Sequence, residues 1–317
     1  MASLVAATAA LVLLCAREWG EMLHQWWDID TYNHILLVPA VIGWLVWMKR
    51  EQLTKMTPRA SAFGLAVVVA ALLVWLVGRT TSINLLAHAG AVGAIQGAIV
   101  TILGFRVSAV LALPLGYMAF LVPFGDEIVP FLQAITADIA IAITHWSGVS
   151  ARIDGVSIDT PAGLFIVAEE CSGVRFLIAT VALAVLIAFT RFESRNRRAA
   201  LMAAAVIVPI LANGVRAWGT IYIAQFVGVE FAAGFDHIVY GWFFFAFVVA
   251  AMLVGAWPFV EREPQDYGYT SAEALQLRWL NRFDPAKAHP VRELAALAAL
   301  ALAASGFGAF AALAALA

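Results

Sequence analysis

Long apolar runs separated by short polar stretches make up most of this chain. The pattern predicts membrane-spanning helices at residues 2–16, 34–48, 62–78, 83–104, 107–123, 171–190, 199–221 and 237–258. A further alanine-rich run covers residues 295–317. Runs of about 20 apolar residues are long enough to cross a bilayer. We therefore expect an all-α polytopic membrane protein with about eight or nine transmembrane helices.

Two stretches between the predicted spans depart from this pattern. Residues 127–146 are apolar, but charges and a proline interrupt them: Asp126, Glu127, Pro130 and Asp138. We expect an interfacial or re-entrant helix here rather than a full crossing. Residues 156–167 contain two short β-rich runs on either side of Pro161, Ala162 and Gly163. This arrangement predicts a short β-hairpin on the outer side, directly before the sixth span.

The composition agrees with a membrane protein. Hydrophobic residues make up 63% of the 317 residues, and the mean hydropathy is +0.89. Charged residues make up 13%, about half of the ~25% usual in soluble domains. We expect one transmembrane domain over residues 1–260, a polar cytoplasmic connector over 261–294 and an additional alanine-rich helix over 295–317.

The distribution of lysine and arginine predicts the orientation of the spans, because these residues concentrate on the cytoplasmic side. Two basic clusters follow the second and the sixth span: Lys49, Arg50, Lys55 and Arg59, then Arg191, Arg195, Arg197 and Arg198. Counting spans from either cluster places the N-terminus in the cytoplasm. The same count places the loop 17–33, the segment 124–170 and the region 222–236 outside.

One of the two cysteines, Cys171, lies where the outer segment meets the sixth span. Exposed N–H groups at a helix N-terminus favour an anion, so this position favours a thiolate. Arg175 lies four residues further on, on the same helix face, whereas Glu169 and Glu170 oppose ionisation unless they cap the helix or pair with Arg175. A buried structural cysteine is the alternative for Cys171, and it is our interpretation of Cys15.

An arginine within an apolar span is the second candidate. Arg216 follows Asn213 in the seventh span, and a charge within a span is by default a functional hypothesis. About 17 residues separate Ala199 from Arg216, a rise of about 26 Å against a hydrocarbon core of about 30 Å. We therefore expect Arg216 near the outer face, level with Cys171. A snorkelling interfacial arginine is the alternative.

A histidine at the outer end of the eighth span is the third candidate. His237 follows Asp236, which either orients the imidazole ring or caps the helix. An interfacial histidine without a chemical role is the alternative. Topology thus brings a thiol, a cation and a base from three spans to one membrane face. These are the groups that acyl transfer through a thioester requires.

Several other classes of site have no motif in this sequence. The histidines show no metal-ligand spacing, and no P-loop or dinucleotide-binding fingerprint occurs. Gly-x-Ser-x-Gly does not occur either, which disfavours a rhomboid-like serine protease. We therefore predict no metal and no cofactor.

Three groups of residues occur in order along the chain: Glu170-Cys171-Ser172-Gly173-Val174-Arg175, Asn213-Gly214-Val215-Arg216, and Asp236-His237 with Tyr240-Gly241-Trp242. Together they resemble the exosortase family, most closely its exosortase A type. Flanking pieces at 32–39 and 120–125 also resemble the family, and the similarity covers about residues 20–260. Ile35 stands where the family pattern has glycine, which is a minor departure.

The resemblance implies a cysteine-type membrane transpeptidase or protease of the bacterial inner membrane, with its active site on the periplasmic side. Such enzymes cleave C-terminal PEP-CTERM sorting signals, which consist of a Pro-Glu-Pro motif, a transmembrane helix and a basic cluster. They work beside exopolysaccharide production. The implied partners are therefore substrate proteins with this signal, membrane lipid and proteins of exopolysaccharide biosynthesis, and no nucleic acid.

The resemblance also implies roles for individual residues. Cys171 would be the thioester nucleophile, and Arg216 and His237 would share the roles of proton donor, oxyanion partner and base. Four further residues are expected to bind substrate or support the site: Glu170, Arg175, Asn213 and Asp236. Because arginine rarely releases its proton, we assign Arg216 to the oxyanion or the substrate glutamate and His237 to proton transfer.

Two other classes of function stay open at this point. Proline and glycine within spans, together with Arg216, are compatible with the broken helices of a transporter or channel. A non-catalytic membrane protein of polysaccharide assembly is the other alternative. The acceptor that resolves the thioester, water or an amine, is also open. The hairpin at 156–167 either adds an extended substrate segment as a further strand or only packs over the site.

Overall fold

The computed structural model of the protein describes residues 2–230, 232, 241–283 and 306–308. Over these residues the chain is mostly helical and carries one small antiparallel sheet. The described residues divide into two compact units, one within residues 1–123 and 265–317 and the other within residues 124–264.

The α-helices are numbered in chain order over the described residues. They are α1 (Ala2–Leu14), α2 (Ala16–Asp28), α3 (Val38–Met48), α4 (Arg50–Leu53), α5 (Ala62–Thr81), α6 (Asn84–Leu103), α7 (Phe105–Val110), α8 (Ala112–Tyr117), α9 (Val129–Trp146), α10 (Val174–Arg191), α11 (Arg195–Val227), α12 (Gly241–Ala256) and α13 (Ser271–Gln276). Short 3₁₀ helices cover Asn33–Leu37, Met118–Leu121, Asp126–Ile128, Glu169–Cys171, Trp257–Phe259, Pro264–Asp266 and Arg278–Arg282.

Five helical segments of the described chain are long and apolar enough to cross a membrane: Ala62–Thr81, Asn84–Leu103, Asp126–Trp146, Glu169–Arg191 and Arg195–Val227. The number rises to seven if each bent pair of neighbouring helices counts as one span. The predicted span at 107–123 is broken at Leu111, between α7 and α8. The predicted spans at 237–258 and 295–317 lie partly outside the described residues. The predicted count of eight or nine therefore stays a prediction.

The segment 127–146 differs from the interfacial or re-entrant helix that we expected. It belongs to a helical run, Asp126–Trp146, with the length and hydropathy of a span. The interrupting residues mark its beginning, because Asp126 and Glu127 precede α9 and Pro130 lies in its first turn. Carboxylates and proline are favoured at these positions of a helix. Asp138 lies on an exposed face of α9 and does not interrupt the helix.

Helix α2 occupies most of the stretch 17–33, which the sequence predicted as an outer loop. The chain bends by 82° between α1 and α2. The buried face of α2 repeats every four residues and carries Glu18, Met22 and Trp26. Glu18 is buried, and its Oε1 accepts a hydrogen bond from Arg79 Nη1 of α5 at 3.2 Å. A charge pair thus fixes α2 against the end of α5.

Helices α5 and α6 pack closely because glycines line their contact. A Cβ atom on Gly64 or Gly78 of α5, or on Gly90 or Gly97 of α6, would collide with the backbone of the other helix. Small residues at a helix–helix contact let two backbones approach closely in a membrane protein, where apolar burial gives little drive between helices. This pair forms the centre of the first unit, together with residues of α1.

The second unit is built around α11. This helix has 33 residues, a length of about 50 Å, which exceeds the ~30 Å of a hydrocarbon core. Helix α9 and helix α10 both pack against it. The three strands are β1 (Arg152–Asp154), β2 (Ser157–Thr160) and β3 (Gly163–Ile166), in the order β1-β2-β3 and antiparallel throughout. Strands β2 and β3 lie within the predicted hairpin segment, and β1 was not predicted.

The basic end of α11 is joined to the end of α12 by Glu261. One carboxylate oxygen lies 2.9 Å from Arg197 Nη1. The other accepts the backbone N–H groups of Ser194 at 2.8 Å and Glu193 at 2.6 Å. The hydrogen bond from the Ser194 N–H is the largest cause that holds the pKa of the Glu261 carboxyl below its ordinary value, and the one from Glu193 is the next. The carboxylate is therefore ionised at neutral pH and keeps the α10–α11 turn attached to the chain that follows α12.

The close α5–α6 contact predicts the effect of a single methyl group. Gly90→Ala places a Cβ against the backbone of Trp75, so we expect a loss of about 1–3 kcal/mol of stability. Gly43→Ala is the matched control, because Gly43 lies in α3 with no atom within 4 Å of its Cβ position. Thermal unfolding in detergent should show a lower midpoint for Gly90→Ala alone. Equal midpoints for the two variants would mean that the glycines are not needed for this contact.

Candidate active site

Cys171 is the last residue of the 3₁₀ turn Glu169–Cys171. Its N–H donates to the carbonyl of Ala168 at 3.0 Å, and the N–H of Ser172 donates to the carbonyl of Glu169 at 3.0 Å. Helix α10 begins at Val174, so the cysteine lies just before the helix and not in its first turn. The thiol is half-buried. The tight turn that precedes α10 therefore positions the thiol.

Gly173 links this turn to α10, and its position has no room for a side chain. Its φ is +82°, in the left-handed region where glycine carries no steric cost. A Cβ atom here would also lie 2.8 Å from Cγ of Asn213. The backbone of the turn that carries Cys171 therefore packs directly against Asn213 of α11.

Asn213 of α11 holds the turn in place. Its side-chain Nδ2 donates to the carbonyl oxygen of Cys171 at 2.8 Å and to Oγ1 of Thr136 in α9 at 3.0 Å. The side chain is buried, with 2% of the residue exposed. A buried amide that loses a partner costs about 1–3 kcal/mol, so both bonds constrain the site. One side chain thus joins α9, α11 and the cysteine turn.

Arg216 lies one turn after Asn213 on α11 and is also buried, with 4% exposed. Cys171, Asn213 and Arg216 line one cavity of about 80 Å³. The other residues around this cavity are Ile158, Phe165, Ile166, Val167, Ala217, Thr220 and Ile221. A space of this size holds a small chemical group or a few water molecules. A thiol, an amide and a guanidinium therefore share a small space with mostly apolar walls.

Arg175 and Glu170 do not line this cavity. Arg175 is half-buried on α10, with its guanidinium 4.7 Å from the centre of the Phe176 ring. Phe176 in turn stacks on Phe245 of α12 at 3.6 Å between ring centres. Glu170 is exposed beside Cys171. The placement of Arg175 supports a contribution to the packing of α10 against α12.

The third motif falls mostly outside the described residues. Asp236, His237 and Tyr240 belong to that part, and only the backbone of Gly241 and Trp242 is described, at the start of α12. The roles predicted for Asp236 and His237 therefore stay predictions. Within the described residues, no group of three or more His, Cys, Asp or Glu side chains could hold a metal ion.

Two polar residues of α9 support the site and were not predicted. Thr136 accepts from Asn213, and Gln133 Nε2 donates to the carbonyl of Val167 at 2.7 Å. They lie three residues apart in a mostly apolar helix, so they share one face. Their spacing on a mostly apolar helix was the sequence signal that could have identified these two residues. Their partners lie elsewhere in the chain, and the spacing alone does not identify them.

A helical bundle with membrane-spanning segments that holds a cysteine and a buried arginine around one cavity defines a multi-pass membrane protein with a thiol site. The chain belongs to the exosortase family: the family model for transmembrane exosortase, Exosortase_EpsH, matches residues 26–254. This range includes all three motifs. Neither the comparison with curated proteins nor the comparison with solved structures finds a match. The exosortase A type stays a prediction.

The bond from Asn213 to Cys171 predicts the effect of an isosteric change. In Asn213→Asp the carboxylate cannot donate to the Cys171 carbonyl. We therefore expect the free energy of unfolding to fall by about 1–3 kcal/mol and the rate of Cys171 alkylation to change. Thermal unfolding and mass spectrometry of the alkylated protein measure the two effects. Asn196→Asp, an exposed position on the same helix, is the control. If both variants behave as the wild type, the amide does not hold the cysteine turn.

Proposed function

We propose that this protein is a cysteine-type membrane transpeptidase or protease that cleaves C-terminal sorting signals through a thioester intermediate. Its substrates would carry a Pro-Glu-Pro motif, a transmembrane helix and a basic tail. Cleavage would take place at the periplasmic face of the bacterial inner membrane, as part of protein sorting linked to exopolysaccharide production. The observation that carries the proposal is the cavity shared by Cys171 and Arg216, in a chain that belongs to the exosortase family.

The proposed reaction begins at the sulfur of Cys171. The thiolate attacks the carbonyl carbon of the scissile peptide bond, a C–S bond forms, and the carbonyl electrons move to the oxygen. Collapse of this oxyanion breaks the C–N bond and leaves a thioester, while the amine takes a proton and departs. Water or an amine then attacks the thioester and releases the thiol. The first acceptor gives a protease and the second a transpeptidase.

Arg216 is suited to stabilise the oxyanion. Its guanidinium offers several N–H donors in a fixed planar arrangement and no acceptor. Donors fixed in a cavity with apolar walls stabilise a developing negative charge far more than donors in water do. The burial of Arg216 and its place on α11 beside Asn213 support this assignment. Proton transfer would then fall to His237, because an unperturbed imidazole is the side chain that changes its charge between pH 5 and 8.

The length of α11 supports a site near one membrane face. Its basic end starts at Arg195, and Arg216 lies about 21 residues further, a rise of about 31 Å. This distance is close to the ~30 Å of a hydrocarbon core. Because basic residues favour the cytoplasmic side, the cavity would lie at the opposite, outer face. A peptide bond just outside a substrate's transmembrane helix would meet Cys171 at that level.

Removing or replacing the sulfur atom of Cys171 tests whether the thiol is the nucleophile. Co-expression with a reporter protein that ends in the tripartite tail should give a shortened reporter with wild-type protein and none with Cys171→Ala or Cys171→Ser. Cys15→Ala, which removes the other cysteine, is the matched control and should process normally. Immunoblotting of the reporter measures the result. Processing that persists in Cys171→Ser would mean that the thiol is not the nucleophile, and no processing with wild-type protein would favour a transporter or a non-catalytic assembly protein. Mass spectrometry of a trapped acyl adduct on Cys171 would decide the mechanism.

The assignment of proton transfer to His237 predicts a pH dependence. The kcat/KM of wild-type protein should rise with pH through a limb near neutrality, because the imidazole must be neutral to accept a proton. His237→Gln should lower kcat/KM by about 10²–10⁴-fold and remove that limb. His24→Gln, at an exposed position of α2, should leave the profile unchanged. A limb that persists in His237→Gln would assign proton transfer to another group.

A further inference from the structure

Strand β3 has one edge paired with β2 and one edge that pairs with no other strand of the sheet. The pairing partners Ile158↔Phe165 and Thr160↔Gly163 alternate with Ser157↔Ile166 and Asp159↔Leu164. The N–H of Val167 donates to the carbonyl of Val156 at 3.0 Å, which fixes the phase of the ladder. In an antiparallel pair, only alternate residues bond to the neighbouring strand. Gly163 and Phe165 therefore bond to β2, Val167 bonds to Val156 just before β2, and Leu164 and Ile166 direct their N–H and C=O groups to the open edge.

These outward groups have no protein partner among the described residues. No hydrogen bond joins the backbone of Leu164 or Ile166 to another element there. Both side chains are exposed, Leu164 to 58% and Ile166 to 62%. An open edge of this kind is a template for pairing with another extended chain.

The open edge leads directly to the candidate active site. Phe165, Ile166 and Val167 line the cavity that also contains Cys171. Val167 is fixed on both sides, by its bond to Val156 and by Gln133 of α9, which donates to its carbonyl. The cysteine turn begins only two residues later, at Glu169. The end of β3 is therefore held in a fixed position relative to the thiol.

We propose that an extended segment of the substrate polypeptide binds as a further strand along the open edge of β3, beside Cys171. The proposal rests on the proposed function and specifies how the substrate is recognised. Strand addition supplies affinity through main-chain hydrogen bonds, and neighbouring pockets supply selectivity. Here the paired residues of the enzyme are Leu164 and Ile166.

The chemistry of a Pro-Glu-Pro segment fits this edge. Proline has no N–H, so it can occupy only positions that face away from a paired strand. The residue before the first proline and the glutamate are two positions apart, and both have an N–H. These two residues therefore match the spacing of Leu164 and Ile166, while both prolines face away. Proline also restricts itself and the preceding residue to extended backbone, which lowers the entropy lost on binding.

Proline substitutions on the enzyme test the pairing. Ile166→Pro and Leu164→Pro each remove one outward N–H without touching the bonds to β2. We expect either change to lower the kcat/KM for the tripartite reporter about tenfold, through KM. Ile153→Pro is the matched control, because Ile153 of β1 pairs with Ile158 and directs its own N–H to the opposite edge of the same sheet. It should process the reporter at the wild-type rate.

Disulfide crosslinking tests the same contact without turnover or proline. In a Cys171→Ala, Cys15→Ala background, Leu164→Cys should crosslink to a reporter with a single cysteine beside the Pro-Glu-Pro motif, and Ile153→Cys should not. The proposal fails if Leu164→Cys captures only a second copy of this chain or nothing. It also fails if both Pro variants on β3 process normally. If both Pro variants process normally but Cys171→Ala does not process, the strand-addition proposal fails and the proposed function stands. If Cys171→Ala still processes the reporter, the proposed function fails.

Discussion

The side-chain amide of Asn213 donates to the carbonyl oxygen of Cys171 and to the hydroxyl oxygen of Thr136, and it does so from a buried position. Its two donors are used on two different segments, so neither segment can shift without leaving a buried polar group unpaired. Gly173 completes this constraint, because a side chain there would push Asn213 away. The position of the thiol follows from these contacts.

The second motif becomes intelligible from the same contacts. Asn213 holds the cysteine turn, and Gly214 faces α9, where a Cβ would collide with the side chain of Ile139. Arg216 then lies one helical turn beyond Asn213 and lines the cavity. Each residue type has a physical reason: an amide to donate twice, a missing side chain for close approach and a guanidinium group on a residue that lines the same cavity as Cys171. Helical spacing sets all three at once.

The residue count along the seventh span predicted that Arg216 would lie level with Cys171, and in the structure the two residues line one cavity. The pairs made by Thr136 and Gln133 were not predictable, because they join residues 77 and 34 positions apart through tertiary packing. Strand β1 has only three residues, all exposed, so it shows no alternating pattern. Asp126, Glu127 and Pro130 resembled interruptions of a span, but they begin a helix.

The shortness of β3 limits how tightly anything can be held along its edge. Leu164 and Ile166 together offer two N–H and two C=O groups, and each net hydrogen bond contributes about 1 kcal/mol. The total of about 4 kcal/mol corresponds to a dissociation constant near 1 mM. A paired segment would therefore leave readily once its peptide bond is cut. Under the proposed function, most of the affinity for an intact substrate would come from confinement of both molecules to one membrane, which a cleaved product would lose with its anchor.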